Sequence, residues 1–282
     1  MSVIQVVALA VIQGFAELLP ISSSAHVVVA EKLMGLDPSA PALTLLLVLL
    51  HTGTMCAVIL YFWRSWSRAY FASTSAFARF ALVIVIATAL TAAVGELVAH
   101  LLERAVLGRG AHADVEELFG HLELIAPALF AVGILIIVSY LLERRIVKRN
   151  EVTVRQSAII GVVQGLCLPF RGFSRSGATI SVGLLVGVEK TAAEAFSFAL
   201  AVVLTPPVVV REVLRLLRGG TSAVDAHSAV WLSVLGGVLA FGAGLLALQW
   251  ISAWLERGRW YYFGVYCLAA AVAVALLHRA GY

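Results

Sequence analysis

Six apolar stretches set the terms on which this chain can fold: Ala42–Trp63, Phe80–Ala99, Leu122–Leu142, Ala192–Val210, Val230–Trp250 and Trp260–Leu277. Each has about the 20 residues that a helix needs to cross the roughly 30 Å hydrocarbon core of a bilayer. Only 13% of the chain is charged, where a soluble domain carries about a quarter. The expected architecture is all-α and polytopic, a single integral membrane domain over residues 1–282 with six full spans. The N-terminal apolar stretch lacks the basic flank of a secretory signal, so it is read as part of the mature protein. Lys and Arg gather at the ends of apolar spans, as orientation signals do, and the net charge of +4 therefore implies no nucleic-acid partner. Cys56, Cys167 and Cys267 lie in apolar surroundings without metal-ligand spacing and are expected to be small core residues.

Two short polar stretches break this pattern: Gln13–His26, reading QGFAELLPISSSAH, and Gly172–Thr179, reading GFSRSGAT. Glu17, His26 and Arg175 are expensive at membrane depth unless they face a partner, a cavity or a ligand. In the first stretch a helix from Val3 to Leu19 is broken by Pro20, which lacks an amide hydrogen and pushes Leu19 toward extended geometry. Ser22, Ser23 and Ser24 then open a short return helix near Ala25–Met34. The second stretch repeats the plan with a helix over Gln156–Leu168, Pro169, a turn through Gly172 and a helix opening at Ser174–Gly177. Non-helical backbone at this depth requires protein or a watery cavity to satisfy it.

The two halves also match in sequence. VIQG at Val11–Gly14 recurs as VVQG at Val162–Gly165, Ser22–Ser24 answers Ser174–Ser176, and Leu33–Leu36 answers Leu185–Val188. The chain reads as a duplication, repeat 1 over roughly 1–150 and repeat 2 over roughly 151–282. Each repeat holds one re-entrant helix-loop-helix hairpin and three full spans. An odd span count inverts the second copy, the pattern of an inverted-topology repeat with its site near the midplane. Eleven Lys and Arg around Arg64–Arg79, Arg144–Arg155, Lys190 and Arg257–Arg259, against seven in the opposite loops, place both termini outside.

Two helix N-termini aimed at a common centre would offer free amide hydrogens and positive dipole ends to an anion. Arg175 adds a planar fork suited to phosphate oxygens, or pairs with Glu17. A serine beside a His or Glu base is the minimum arrangement for an activated nucleophile. Ser23 is the candidate, with Ser22 and Ser24 as neighbours; its alternative is a capping role, with His26 or an activated water attacking instead. His26 acts as base or acid, or bonds a carbonyl. Glu17 acts on a proton or, as the possible protein ligand, on a metal. His51, in LLHTGTM, lines the cavity or packs. Glu194 is read as an interfacial or packing carboxylate, with a role in the site as its alternative, Glu116 and Glu117 as part of a solvated acidic loop (Arg109–His121), and Gly236, Gly237, Gly242 and Gly244 as sites of close helix packing.

These residues carry a resemblance. QGFAELLPISSSAH resembles the first signature of the BacA/UppP family of undecaprenyl-diphosphate phosphatases, (E/Q)GxTExLPxSSxGH, and RGFSRSGAT resembles its second, PGxSRSxxT. AEAFSFALAVVLTPP, ending at Pro207, is similar to the family's ExSFxLAxP segment, so the likeness spans nearly the whole chain. It implies a hydrolase of the bacterial plasma membrane, its site open to the periplasmic face, that converts undecaprenyl diphosphate to undecaprenyl phosphate and inorganic phosphate. That reaction recycles the carrier for peptidoglycan synthesis and confers bacitracin resistance. A divalent cation, Mg2+ or Ca2+, is the implied cofactor. The polyprenyl diphosphate, membrane lipids and a homodimer mate are the expected partners.

Carried over residue by residue, the resemblance puts Glu17, Ser23 and His26 on catalytic positions. Ser174, Arg175, Ser176 and Thr179 fall on phosphate-binding ones, with Arg175 also stabilising the leaving phosphate. Gln13, Ser22, Ser24 and Arg171 are further expected substrate contacts. The chain departs from the pattern at Gln13, where many members have Glu, so a carboxylate pair for metal is absent; at Ala16 for Thr; at Ala25 for Gly; and at Arg171 for Pro. The rival reading is a transporter or lipid flippase, because inverted repeats with broken helices mark secondary transporters.

Overall fold

The computed structural model describes residues 1–37, 40–106, 122–218 and 223–280; the acidic stretch that holds Glu116 and Glu117 lies outside them. In chain order the helices are α1 (Val3–Leu18), α2 (Ser23–Leu33), α3 (Pro41–Ala69), α4 (Thr74–Val106), α5 (Leu122–Leu142), α6 (Val154–Cys167), α7 (Arg175–Leu185), α8 (Lys190–Arg218), α9 (Ala223–Glu256) and α10 (Tyr261–Arg279). Among the described residues no β-strand forms. An isolated bridge joins Arg149 to Val188.

Among the described residues five helices, α3, α4, α5, α9 and α10, are long and apolar enough to cross a membrane. The sixth expected span, Ala192–Val210, falls inside the 29-residue α8. Large apolar side chains point outward along these helices, among them Leu60, Val85, Leu141, Val238 and Val272. Lipid tails are as apolar as leucine, so such faces carry no cost in a bilayer.

Helix lengths recur in order. A 16-residue helix, an 11-residue helix and a 29-residue helix open the first half; 14, 11 and 29 residues open the second. The starts match chemically as well. Ser2 caps α1 in a reciprocal box with Gln5, and Thr153 caps α6 in the same way with Gln156, so each first helix satisfies two of its orphan amides within its own sequence.

The chain forms two compact units, one of Met1–Leu19, Ser23–Arg64 and Ala201–Ile251, the other of Pro20–Ser22, Ser65–Leu200 and Ser252–Tyr282. Both draw on both halves of the sequence. In the first unit α1 packs on α9 through Gly14, where a Cβ would meet Ala243 Cβ at 2.5 Å and Ala240 O at 2.9 Å. Gly53 of α3 lies against the backbone of Gly237, Gly236 against Leu46 and Leu50, and Gly244 against Leu18 and Ala57. Gly242 meets nothing within 4 Å, so of the four glycines expected to pack closely it alone does not.

In the second unit α6 packs on α4 by the equivalent device. Gly161 and Gly165 press on the backbone of Ala87 and Thr91. Thr91 Oγ1 shares its proton between Ala87 O at 2.8 Å and Gly161 O at 3.0 Å, and accepts from Gln164 Nε2 at 3.0 Å. Each hairpin's first helix therefore packs on a long helix from the opposite half. Gly161→Ala is expected to lower stability by about 1–3 kcal/mol through overpacking, read as a fall in thermal midpoint of the detergent-purified protein. An unchanged midpoint would refute the close approach.

The cysteine expectation holds at two positions. Cys167 and Cys267 are buried, but Cys56 is exposed, because α3 turns Gly53, Ala57 and Val58 inward and leaves Cys56, Ile59 and Leu60 on its outer face.

Candidate active site

The first hairpin breaks as proline sterics require. Helix α1 ends at Leu18, Leu19 is extended (φ −67°, ψ 148°), and its amide donates to Phe15 O. The freed carbonyl of Pro20 accepts the Cys267 thiol at 3.3 Å. Ser22 follows with φ +69°, the left-handed region, and is buried. A non-glycine residue held there costs on the order of 1–3 kcal/mol, and such strain is characteristic of functional turns. Helix α2 begins at the next residue, Ser23.

This turn folds Ser23 back over the last turn of α1. Ser23 Oγ donates to Glu17 Oε2 at 2.5 Å, and Gln13 Nε2, one turn earlier on α1, donates to the same oxygen at 3.1 Å. His51 Nε2 of α3 lies 3.7 Å from it. Ser24 and His26 are half-buried in the first turn of α2. Gln13, Glu17 and Ser23 are thus brought together as one cluster, and His51, which the sequence left between cavity and packing, belongs to it. The available signal was an ionisable group in the middle of an apolar span, which is costly without a partner.

The second hairpin has the same plan with different chemistry. Helix α6 ends at Cys167 and the chain makes two successive turns, Phe170 N to Cys167 O and Phe173 N to Phe170 O, with Arg171 half-buried between them. Gly172 has φ +100°, and a Cβ there would meet Ile125 O at 2.6 Å, so the position excludes other residues on both counts. Ser174 caps α7 by accepting from Gly177 N at 3.2 Å, and its Oγ lies 3.4 Å from buried Ser176 Oγ. Arg175 is the first residue of α7, and its Nη1 is buried.

Thr179 is bonded within the protein. Its hydroxyl donates to Arg175 O at 2.8 Å and pairs with Ser197 Oγ at 2.6 Å, so it anchors the first turn of α7 to α8. Trp260, buried, aims Nε1 at Ser139 Oγ (3.2 Å) and Ser181 Oγ (3.3 Å), tying α7 to α5 and α10. Glu194 is buried and accepts from Ser252 Oγ at 2.7 Å, which matches the packing alternative. Gln13 and Gln164 occupy equivalent places, yet four residues on the first hairpin has Glu17 and the second Leu168. The carboxylate belongs to one hairpin and the guanidinium to the other.

The loop of the first hairpin sits beside the second. Pro20 O lies 3.2 Å from the point a Cβ on Gly177 would occupy, in the first turn of α7. A multi-pass helical protein with a serine bonded to a carboxylate at a broken helix, and an arginine opening a second short helix, has the parts of an intramembrane enzyme that acts on an anionic group.

The chain is a member of the family described as "Bacitracin resistance protein BacA", whose model matches residues 6–273. It is 52% identical over 282 residues to undecaprenyl-diphosphatase 2 of Acinetobacter baylyi, with 98% of each chain covered. It is 32% identical to undecaprenyl-diphosphatase of Desulfatibacillum aliphaticivorans over 96% of this chain and 98% of that one. It is also 32% identical to undecaprenyl-diphosphatase 2 of Burkholderia ambifaria, over 96% and 95%.

Proposed function

We propose that this protein is an undecaprenyl-diphosphatase, hydrolysing undecaprenyl diphosphate to undecaprenyl phosphate and inorganic phosphate. The observation that carries the chemistry is the 2.5 Å hydrogen bond from Ser23 Oγ to Glu17 Oε2. Ser23 attacks the terminal phosphorus, its proton passes to Glu17, and a Ser23 O–P bond forms as the bridging P–O bond breaks. Undecaprenyl phosphate leaves first, and water then releases phosphate and restores the serine hydroxyl. Arg175 and the amides opening α7 hold phosphoryl oxygens, with Ser174 and Ser176 beside them and Thr179 keeping the Arg175 turn in place. His26, Ser22, Ser24, Gln13 and Arg171 complete the headgroup surroundings.

This reading takes α8 as a sixth span and α1–α2 and α6–α7 as re-entrant hairpins of an inverted-topology repeat in the bacterial inner membrane. Its site opens to the outer face, and a homodimer is the proposed assembly. The exchanged packing of α1 on α9 and α6 on α4 supports it, as does the approach of Pro20 to Gly177. For the divalent cation, no group of three His, Cys, Asp or Glu side chains that could hold a metal occurs among the described residues. Glu17 as one ligand, with diphosphate oxygens and water as the rest, fits a Mg2+-type ion. Such an ion neutralises phosphate charge when bound.

Purified protein in detergent should release phosphate from undecaprenyl diphosphate, and Glu17→Gln should lower kcat by roughly 100- to 10,000-fold through loss of the base. A lipid flippase would show no turnover in that assay. A fully active Glu17→Gln enzyme would remove Glu17 from the reaction.

A further inference from the structure

We propose that His51 is a positioning residue of the phosphatase reaction, holding the Glu17 carboxylate against Ser23 from a different helix. Around Glu17 Oε2 stand Ser23 Oγ at 2.5 Å, Gln13 Nε2 at 3.1 Å and His51 Nε2 at 3.7 Å. Gln13 lies one turn earlier on the same helix, so it moves with Glu17 and cannot fix where α1 points the carboxylate. His51 stands on α3, outside the hairpin, and supplies an independent point of reference.

The ring itself is held. His51 Nδ1 lies 2.8 Å from Leu47 O, a pure acceptor, so Nδ1 carries a hydrogen, and Nε2 faces Glu17 as a second donor in the imidazolium form of the ring. The helix around it is fixed too. Thr54 Oγ1 donates to His51 O at 2.8 Å and Thr52 Oγ1 to Val48 O at 2.8 Å. Gly53 seats this turn of α3 directly on the backbone of Gly237. The side chain of Glu17 is 11% exposed and that of His51 42%, so the imidazole forms the open edge of the cluster.

The inference rests on the assignment of Glu17 and Ser23 as the catalytic pair, and the experiment separates the two. Steady-state phosphate release from undecaprenyl diphosphate is measured for wild type, Ser23→Ala, His51→Leu and His51→Gln, alongside thermal midpoints. Leucine fills the imidazole's space without a donor, whereas glutamine restores a donor at similar reach. His51→Leu is expected to lower kcat by about 10- to 100-fold with KM within about two-fold, the effect of a misaimed base. His51→Gln is expected to recover most of that loss at an equal midpoint. Equal kcat for the leucine and glutamine variants, or a raised KM with kcat unchanged, overturns the positioning role while an inactive Ser23→Ala leaves the catalytic pair standing. An active Ser23→Ala overturns both.

Discussion

Ser23→Ala is expected to leave the purified protein without measurable phosphate release, a loss of roughly 10,000-fold or more, as when the nucleophile of a cooperating set is removed. Ser23 Oγ is the hydroxyl bonded to Glu17, and alanine deletes the atom that forms the bond to phosphorus. The same change removes one hydrogen bond to a carboxylate, worth about 1.5–3 kcal/mol, so the thermal midpoint is measured alongside to separate lost chemistry from lost fold. Acid quenching of wild type with substrate labelled in its terminal phosphate should trap label on Ser23. If the alanine variant keeps a tenth of the activity and no label is trapped, water attacks directly with Glu17 as its base, and Ser23 reduces to a helix opener.

The second large effect belongs to Arg175. Arg175→Ala should lower kcat by about 1,000-fold or more, the range seen when a phosphoryl-stabilising arginine is lost, and should raise KM because the same fork binds ground-state phosphate. Arg175→Lys keeps the charge but not the bidentate geometry, and is expected to restore less than about a tenth of the lost activity. Stability serves as the control. The first turn of α7 is held by Ser174, Thr179 and Ser197 without the guanidinium, so neither variant should unfold. A lysine variant indistinguishable from wild type would show that Arg175 acts as a point charge only.

In the proposed mechanism one variant removes the attacking atom and the other the anion holder, and the two residues lie on different hairpins. Both hairpins open with a capped helix and a glutamine at the same place. After the break one continues with Ser23 and the other with Arg175 as the first residue of its return helix.

What could be read along the chain was what neighbours along the chain control. Apolar run length marked five helices long enough to span, Pro20 marked the first break and Ser174 a helix start, because proline sterics and capping act over one to four residues. The likeness of the halves was legible for the same reason. Partnerships across helices were not: that His51 meets Glu17, that Thr179 is committed to Ser197, that Cys56 faces outward and that Gly242 packs on nothing. Each depends on how a helix is rotated about its own axis. In water an apolar stripe reports that rotation, but in lipid the outer face is as apolar as the inner one, so only the close contacts of glycines and hydrogen bonds in the folded bundle decide it.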